Sequence, residues 1–110
     1  MSDVTTPTVI KTAANQHPHA KPLFNLGQVL VTPGALELLE VTATDGVVLM
    51  QRHQHGDWGC VPAEDAEANL RALKTNCRII SSYLLKDSDK LWIITEADRS
   101  VTTLLLPEEY

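Results

Sequence analysis

The rhythm of apolar and polar positions divides the chain into an aperiodic arm, a helical middle and a strand-rich end. Residues 1–22, MSDVTTPTVIKTAANQHPHAKP, contain three prolines, many Thr and Ala and few large apolar side chains. They read as a flexible N-terminal arm, with a single domain over 23–110. Phe24, Leu26, Val29 and Val31 predict a short strand that Gly27 interrupts. Thr32 then stands where an N-cap should, Pro33 suits a first helical position, and Leu36 and Leu39, with Ala35, form an apolar face. Ala43 to Gly46 is a loop. Val47-Val48-Leu49-Met50 fits either period; Asp45 as an N-cap and Gln51-Arg52-His53 as a polar exit favour a short helix. The Gly-flanked segment 54–59 is a turn.

The strongest helical signal covers 62–74. Pro62 opens it, Glu64, Asp65 and Glu67 occupy its first turns, and Arg71 and Lys74 its last, an order that suits the helix dipole. Ala66, Leu70 and Leu73 supply its apolar stripe, and Thr75-Asn76 ends it. Thereafter apolar residues run over 78–86, 91–97 and 101–106, separated by Asp87-Ser88-Asp89-Lys90 and Asp98-Arg99-Ser100 and stopped by Pro107. Short helices followed by these strands predict an α+β fold, with N-terminal helices packed on a C-terminal antiparallel meander of three to four strands.

A tight turn at 87–90 pairs Ser82 with Thr95 and Ser81 with Glu96. A turn centred on Arg99 pairs Thr95 with Thr103 and Glu96 with Thr102. The sheet then has an apolar end and a polar end, and a one-residue slip exchanges the faces but keeps that division. The polar end has two readings: hydroxyls bonding across strands, or the floor of a site near Asp98 and Arg99. Trp92 and Tyr83 stand close by, as stacking surfaces or half-buried core aromatics.

Charge narrows the choices. The 110 residues have a formal net charge of -5. The arm holds one Asp and two Lys, which leaves -6 on the rest. A broad basic footprint for nucleic acid is excluded, although a small local anion site is not. No apolar run reaches the roughly 20 residues of a membrane span. No secretory signal is visible, and the expected location is cytoplasmic. Cys60 and Cys77 then read as free, partly buried thiols.

The densest reactive cluster is His53-Gln-His55-Gly-Asp57-Trp58-Gly59. A His beside a carboxylate can act as a general acid or base, and Trp58 could wall a site. Equally, Asp57 can cap a turn while Trp58 anchors it to the core. His53-x-His55 and His17-x-His19 are candidate zinc ligands, but the further ligands are missing, so no metal or other cofactor is expected. Arg52, Arg78 and Arg99 are the cations nearest these features, as anion contacts or as surface and ion-pairing charges.

Arg52-His53-x-x-Gly56-Asp57-Trp58-Gly59, Glu64-Asp65-x-x-x-Asn69, Arg78-x-x-Ser81-x-Tyr83 and the run from Trp92 to Tyr110 (WxITEADRSxTTxLLPEEY) resemble a group of small proteins of proteobacterial plasmids and integrative elements, often labelled only "plasmid-related". The resemblance covers about residues 26–110 and implies a mobile-element setting without a particular reaction. The order of elements is more weakly similar to the barnase–EndoU–colicin–RelE-like nuclease superfamily, which cleaves RNA without metal; the acidic charge departs from it.

Two expectations follow. In the first, a metal-independent nuclease acts on RNA. His53 with Asp57 would provide acid–base chemistry, and Arg52, Arg78 or Arg99 would stabilise the phosphorane. Thr95, Thr103, Ser81 and Tyr83 would position the substrate, beside Trp58, Glu96 and Asp98. In the second, a non-enzymatic module binds a host defence or replication protein through an acidic face made of Glu37, Glu40, Glu64, Asp65, Glu67, Asp87, Asp89, Glu108 and Glu109.

Overall fold

The computed structural model describes residues 21–110. The expected arm, with His17 and His19, therefore lies almost wholly outside the described residues. Strand β1 is Gln28–Val31, followed by helices α1 (Pro33–Val41), α2 (Gly46–Gln54) and α3 (Ala63–Thr75). Strands β2 (Ile79–Leu84), β3 (Lys90–Thr95) and β4 (Val101–Leu105) complete an α+β fold, with short 3-10 turns at Lys86–Ser88 and Pro107–Glu109.

Local chemistry accounts for the helix ends. Thr32 accepts from the Ala35 N–H at 3.1 Å, and Asp45 accepts from Val47 at 2.9 Å. Asn76 closes α3 in the left-handed conformation, φ 56°. Two helical readings need correction. Helix α2 does not exit at Gln51 but continues to Gln54, because Leu49, Met50 and His53 share its buried face. In α3, Ala66 and Leu73 pack on the core as expected, but the buried positions are Asn69 and Ala72, and Leu70 is 55% exposed.

The sheet order is β1-β4-β3-β2. Strands β2, β3 and β4 form the expected antiparallel meander, but β1 joins β4 in parallel. The sheet is mixed for a topological reason. After β1 the chain passes through three helices and enters the far edge as β2. Two hairpins bring it back, so β4 lands beside β1 running in the same direction. Gly27 admits the chain to this position. Its φ is +67°, and a Cβ there would lie 2.2 Å from the Ser100 carbonyl oxygen.

Register differs from the expectation by odd numbers of residues. Ser82 faces Trp92 rather than Thr95, because the connection uses five residues and closes with Leu85 N–H donating to the Asp89 carbonyl at 2.7 Å. Thr95 faces Thr102 rather than Thr103, and the Glu96 N–H bonds the Val101 carbonyl at 2.9 Å. Ser81, Thr95 and Thr102 consequently share the inner face, whereas Thr103 belongs to the outer one and Glu96 lies beyond β3.

Helices α1 and α2 cover the inner face. Ala35, Leu39, Leu49 and Met50 pack there on Val29, Tyr83, Leu91, Ile93 and Leu104. A second cluster joins Phe24, Trp58, Ala72 and Ile79, with α3 beside β2. The β2 edge is covered without another strand. Asn69 donates to the Ile80 carbonyl at 2.8 Å and accepts from its N–H at 3.1 Å. Next along, the Ser82 N–H donates to the Trp58 carbonyl, and the Ser82 carbonyl accepts from Cys60. Gly59 permits that approach, since a Cβ would stand 2.1 Å from the Ser82 oxygen. Cys60 and Cys77 are free and, contrary to expectation, exposed, because both lie in the connections flanking α3. No helix among the described residues is long and apolar enough to cross a membrane.

Candidate functional site

His53 is fully buried, 0% exposed, at the end of α2 facing the sheet. Phe24 meets its ring edge-on at a centroid distance of 5.1 Å and Trp58 at 6.0 Å. Its Nδ1 is 2.6 Å from Ser81 Oγ and its Nε2 is 2.9 Å from Thr95 Oγ1. Thr95 Oγ1 is 2.7 Å from Thr102 Oγ1, which donates to the Leu26 carbonyl at 2.7 Å.

This chain of bonds has one direction. The Leu26 carbonyl can only accept, so Thr102 spends its proton there and must accept from Thr95. Thr95 then accepts from His53 Nε2–H, leaving Nδ1 to accept from the Ser81 hydroxyl. Every proton has a destination with a neutral imidazole. Burial above all, with the Arg99 charge adding to it, pushes the His53 pKa down to about 3. His53 is thus neutral across pH 5–8 and has no nitrogen left for a substrate.

The Asp57 carboxylate is engaged elsewhere. Arg52 Nε donates to Oδ2 at 2.6 Å and a terminal guanidinium nitrogen to Oδ1 at 3.3 Å. The Gly59 N–H reaches Oδ1 at 3.2 Å. The Arg52 hydrogen bond chiefly holds the Asp57 pKa below its ordinary value. Arg52 also lies 4.6 Å from the centre of the Tyr83 ring, and the Tyr83 hydroxyl donates to the Asp57 carbonyl at 2.6 Å. Burial raises the Tyr83 pKa. The His–carboxylate pair suggested by the sequence therefore does not form; Arg52, Asp57 and Tyr83 clasp the 52–59 turn while Trp58 fills the core.

A third group surrounds Arg99, whose φ is +62°. Its guanidinium donates to the carbonyls of Ala72, Cys77, Glu96 and Ala97 at 2.7–3.1 Å. It thereby ties the last turn of α3 to the β3–β4 connection. Asp98 Oδ1 accepts from the Ser100 N–H at 3.0 Å and hydroxyl at 2.6 Å, which lowers the Asp98 pKa. Phe24 touches both this group and His53, lying 5.7 Å from the Arg99 guanidinium carbon.

The residues singled out from sequence are thus divided. His53, Ser81 and Thr95 converge, with Trp58 alongside. Arg52, Asp57 and Tyr83 form a separate clasp, and Glu96, Asp98 and Arg99 a turn. Thr103 is on the outer face. Arg78 lies apart, donating to the Tyr110 hydroxyl at 2.6 Å. It borders an open groove of about 410 Å³ on the outer face of the sheet, between the start of α3 and Tyr110. The sequence reading missed Thr102 as a partner of Thr95, and gave no site role to Phe24 or Asn69. Asn69 had a signal: it is the polar residue at helical spacing between Ala66 and Ala72.

Among the described residues, no group of three or more His, Cys, Asp or Glu is placed to hold a metal ion. Comparison with protein-family models, with curated proteins and with solved structures finds no match.

Proposed function

We propose that this chain is a non-enzymatic protein-binding module of a mobile genetic element, rather than an RNA-cleaving enzyme. The observation that carries the reading is the closed hydrogen-bond chain through His53. A general acid or base must reach a substrate oxygen, whereas His53 is enclosed and both its nitrogens are occupied. Arg99 likewise directs its guanidinium at four backbone carbonyls, and Arg52 is paired with Asp57 at the surface. The acidic surface supports the same reading. Glu37 and Glu40 on α1 and Glu64, Asp65 and Glu67 on α3 are exposed, and the one ion pair among the described residues is Arg52–Asp57. Such a field steers a basic partner and disfavours RNA. The resemblance to plasmid and integrative-element proteins makes a host defence or replication protein the expected target.

The test has two arms. The full chain, immobilised, should retain a stoichiometric host protein in a salt-sensitive manner. Single-stranded and hairpin RNA incubated with the chain in EDTA should remain intact. RNA cleavage that co-purifies with the protein and is lost in the exposed variant Arg78→Ala would overturn the proposal.

A further inference from the structure

The outer-face groove has the construction of a side-chain recognition site. Ile80, Ser82 and Trp92 form its floor, and Pro62 stands on the α3 side. Trp92 and Tyr110 meet edge-to-face at 5.6 Å and 65°, making an apolar corner. Tyr110 is 63% exposed. Arg78 and Lys90 are exposed at opposite ends, and the single acid lining the groove is Asp65. In an acidic protein this is a local excess of positive charge. Tyr, Trp and Arg are also the side chains that dominate binding energy where proteins meet.

The register supplies the spacing. Lys90 and Trp92 are next-but-one neighbours on β3, opposite Leu84 and Ser82. Arg78 precedes Ile80 on the same face of the adjacent row. Six residues separate Arg78 from the Lys90 level, about 20 Å along the strands, and the Arg78 side chain turns inward to Tyr110. Strand addition is excluded at this edge, because the backbone groups of Ile80 and Ser82 are already bonded by Asn69, Trp58 and Cys60.

We infer that the groove docks an extended acidic peptide segment of a partner protein. An apolar or aromatic side chain of that segment seats in the Trp92–Tyr110 corner. Flanking carboxylates, about four to six positions apart, pair with Arg78 and Lys90. The acidic surface of α1 and α3 then steers the partner as a whole, while this groove reads one segment of it. The inference rests on the binding-module reading and names the contact.

The experiment is an array of immobilised nonapeptides, degenerate at every position, probed with the full chain. Retained peptides should carry a central Phe, Leu, Ile or Trp flanked by Asp or Glu. Arg78→Glu and Lys90→Glu should each weaken retention about tenfold. The double reversal should shift selection to Lys- and Arg-flanked peptides. Unchanged thermal unfolding identifies the variants as folded. An array with no retained peptide, or retention indifferent to both reversals, overturns the groove assignment. The RNA assay above separates the outcomes: intact RNA with a failed array removes the groove alone, and cleaved RNA removes the binding-module reading.

Discussion

The two faces of the sheet use polar residues in opposite ways. On the inner face, Ser81, Thr95 and Thr102 are buried with His53, and each hydroxyl and ring nitrogen is consumed by the next. On the outer face, Arg78, Lys90 and Tyr110 are exposed around a groove, and the one bond among them joins Arg78 to Tyr110. A buried polar group left unpaired costs about 1–3 kcal/mol, so a closed chain is the only arrangement that a core tolerates at no loss. An exposed cation carries no such penalty and can wait for a partner. The most reactive-looking residue types in the sequence are therefore architectural, and the plainer ones face outward.

The largest expected effect tests the inner face. His53→Ala removes a buried ring and leaves Ser81 and Thr95 without their partner, which should cost about 3–4 kcal/mol of unfolding free energy. Urea unfolding measures it. A loss under about 1 kcal/mol would show that the chain of bonds does not hold the core.

Acid provides the next test. The folded pKa of His53, about 3, lies below the ordinary value near 6.5, so the unfolded state binds the extra proton. Stability should be flat in this group above pH 6.5 and fall by about 1.4 kcal/mol per pH unit below it, until the folded pKa is reached. From pH 6.5 to 5 the loss is about 2 kcal/mol, well above the range where the depressed carboxylates Asp57, Asp98 and Glu109 lose their own contributions. In His53→Gln the slope over this window should flatten; an unchanged slope would assign it to another group.

Asn69→Ala should cost about 2 kcal/mol, since it strips two bonds from the β2 edge. Hydrogen exchange at the Ile80 amide should rise with it, and protection equal to wild type would contradict the capping role. The smallest effect belongs to the outer face. Lys90→Ala should leave stability within about 0.5 kcal/mol of wild type, as thermal unfolding would show; a larger loss would make Lys90 part of the architecture and erase the contrast between the faces.

How much of this was readable beforehand varies with range. The caps at Thr32 and Asp45 and the stop at Asn76 involve neighbours two to four residues away, and each was legible. The burial of His53 was half-legible: Leu49, Met50 and His53 fall at helical spacing, but reading Gln51-Arg52-His53 as an exit hid it. The division of the candidate site was not legible. The pairing of His53 with Ser81 and Thr95 spans 28 and 42 residues, and no local pattern encodes it. Nor did anything local indicate that β1 would lie parallel to β4.

By itself, the sequence determined the kinds of element, most of their ends and the acidic charge, whereas the expected lengthwise split of the sheet did not survive the register, which sets Ser81 and Ser82 opposite Ile93 and Trp92. Tertiary structure decided which residues share a face. The reason lies in the period of two along a strand: a connection longer or shorter by one residue inverts every side chain beyond it. The lengths of the β2–β3 and β3–β4 connections placed Ser81, Thr95 and Thr102 together inside, under His53. The same lengths placed Ser82 and Trp92 outside, beside Arg78 and Lys90.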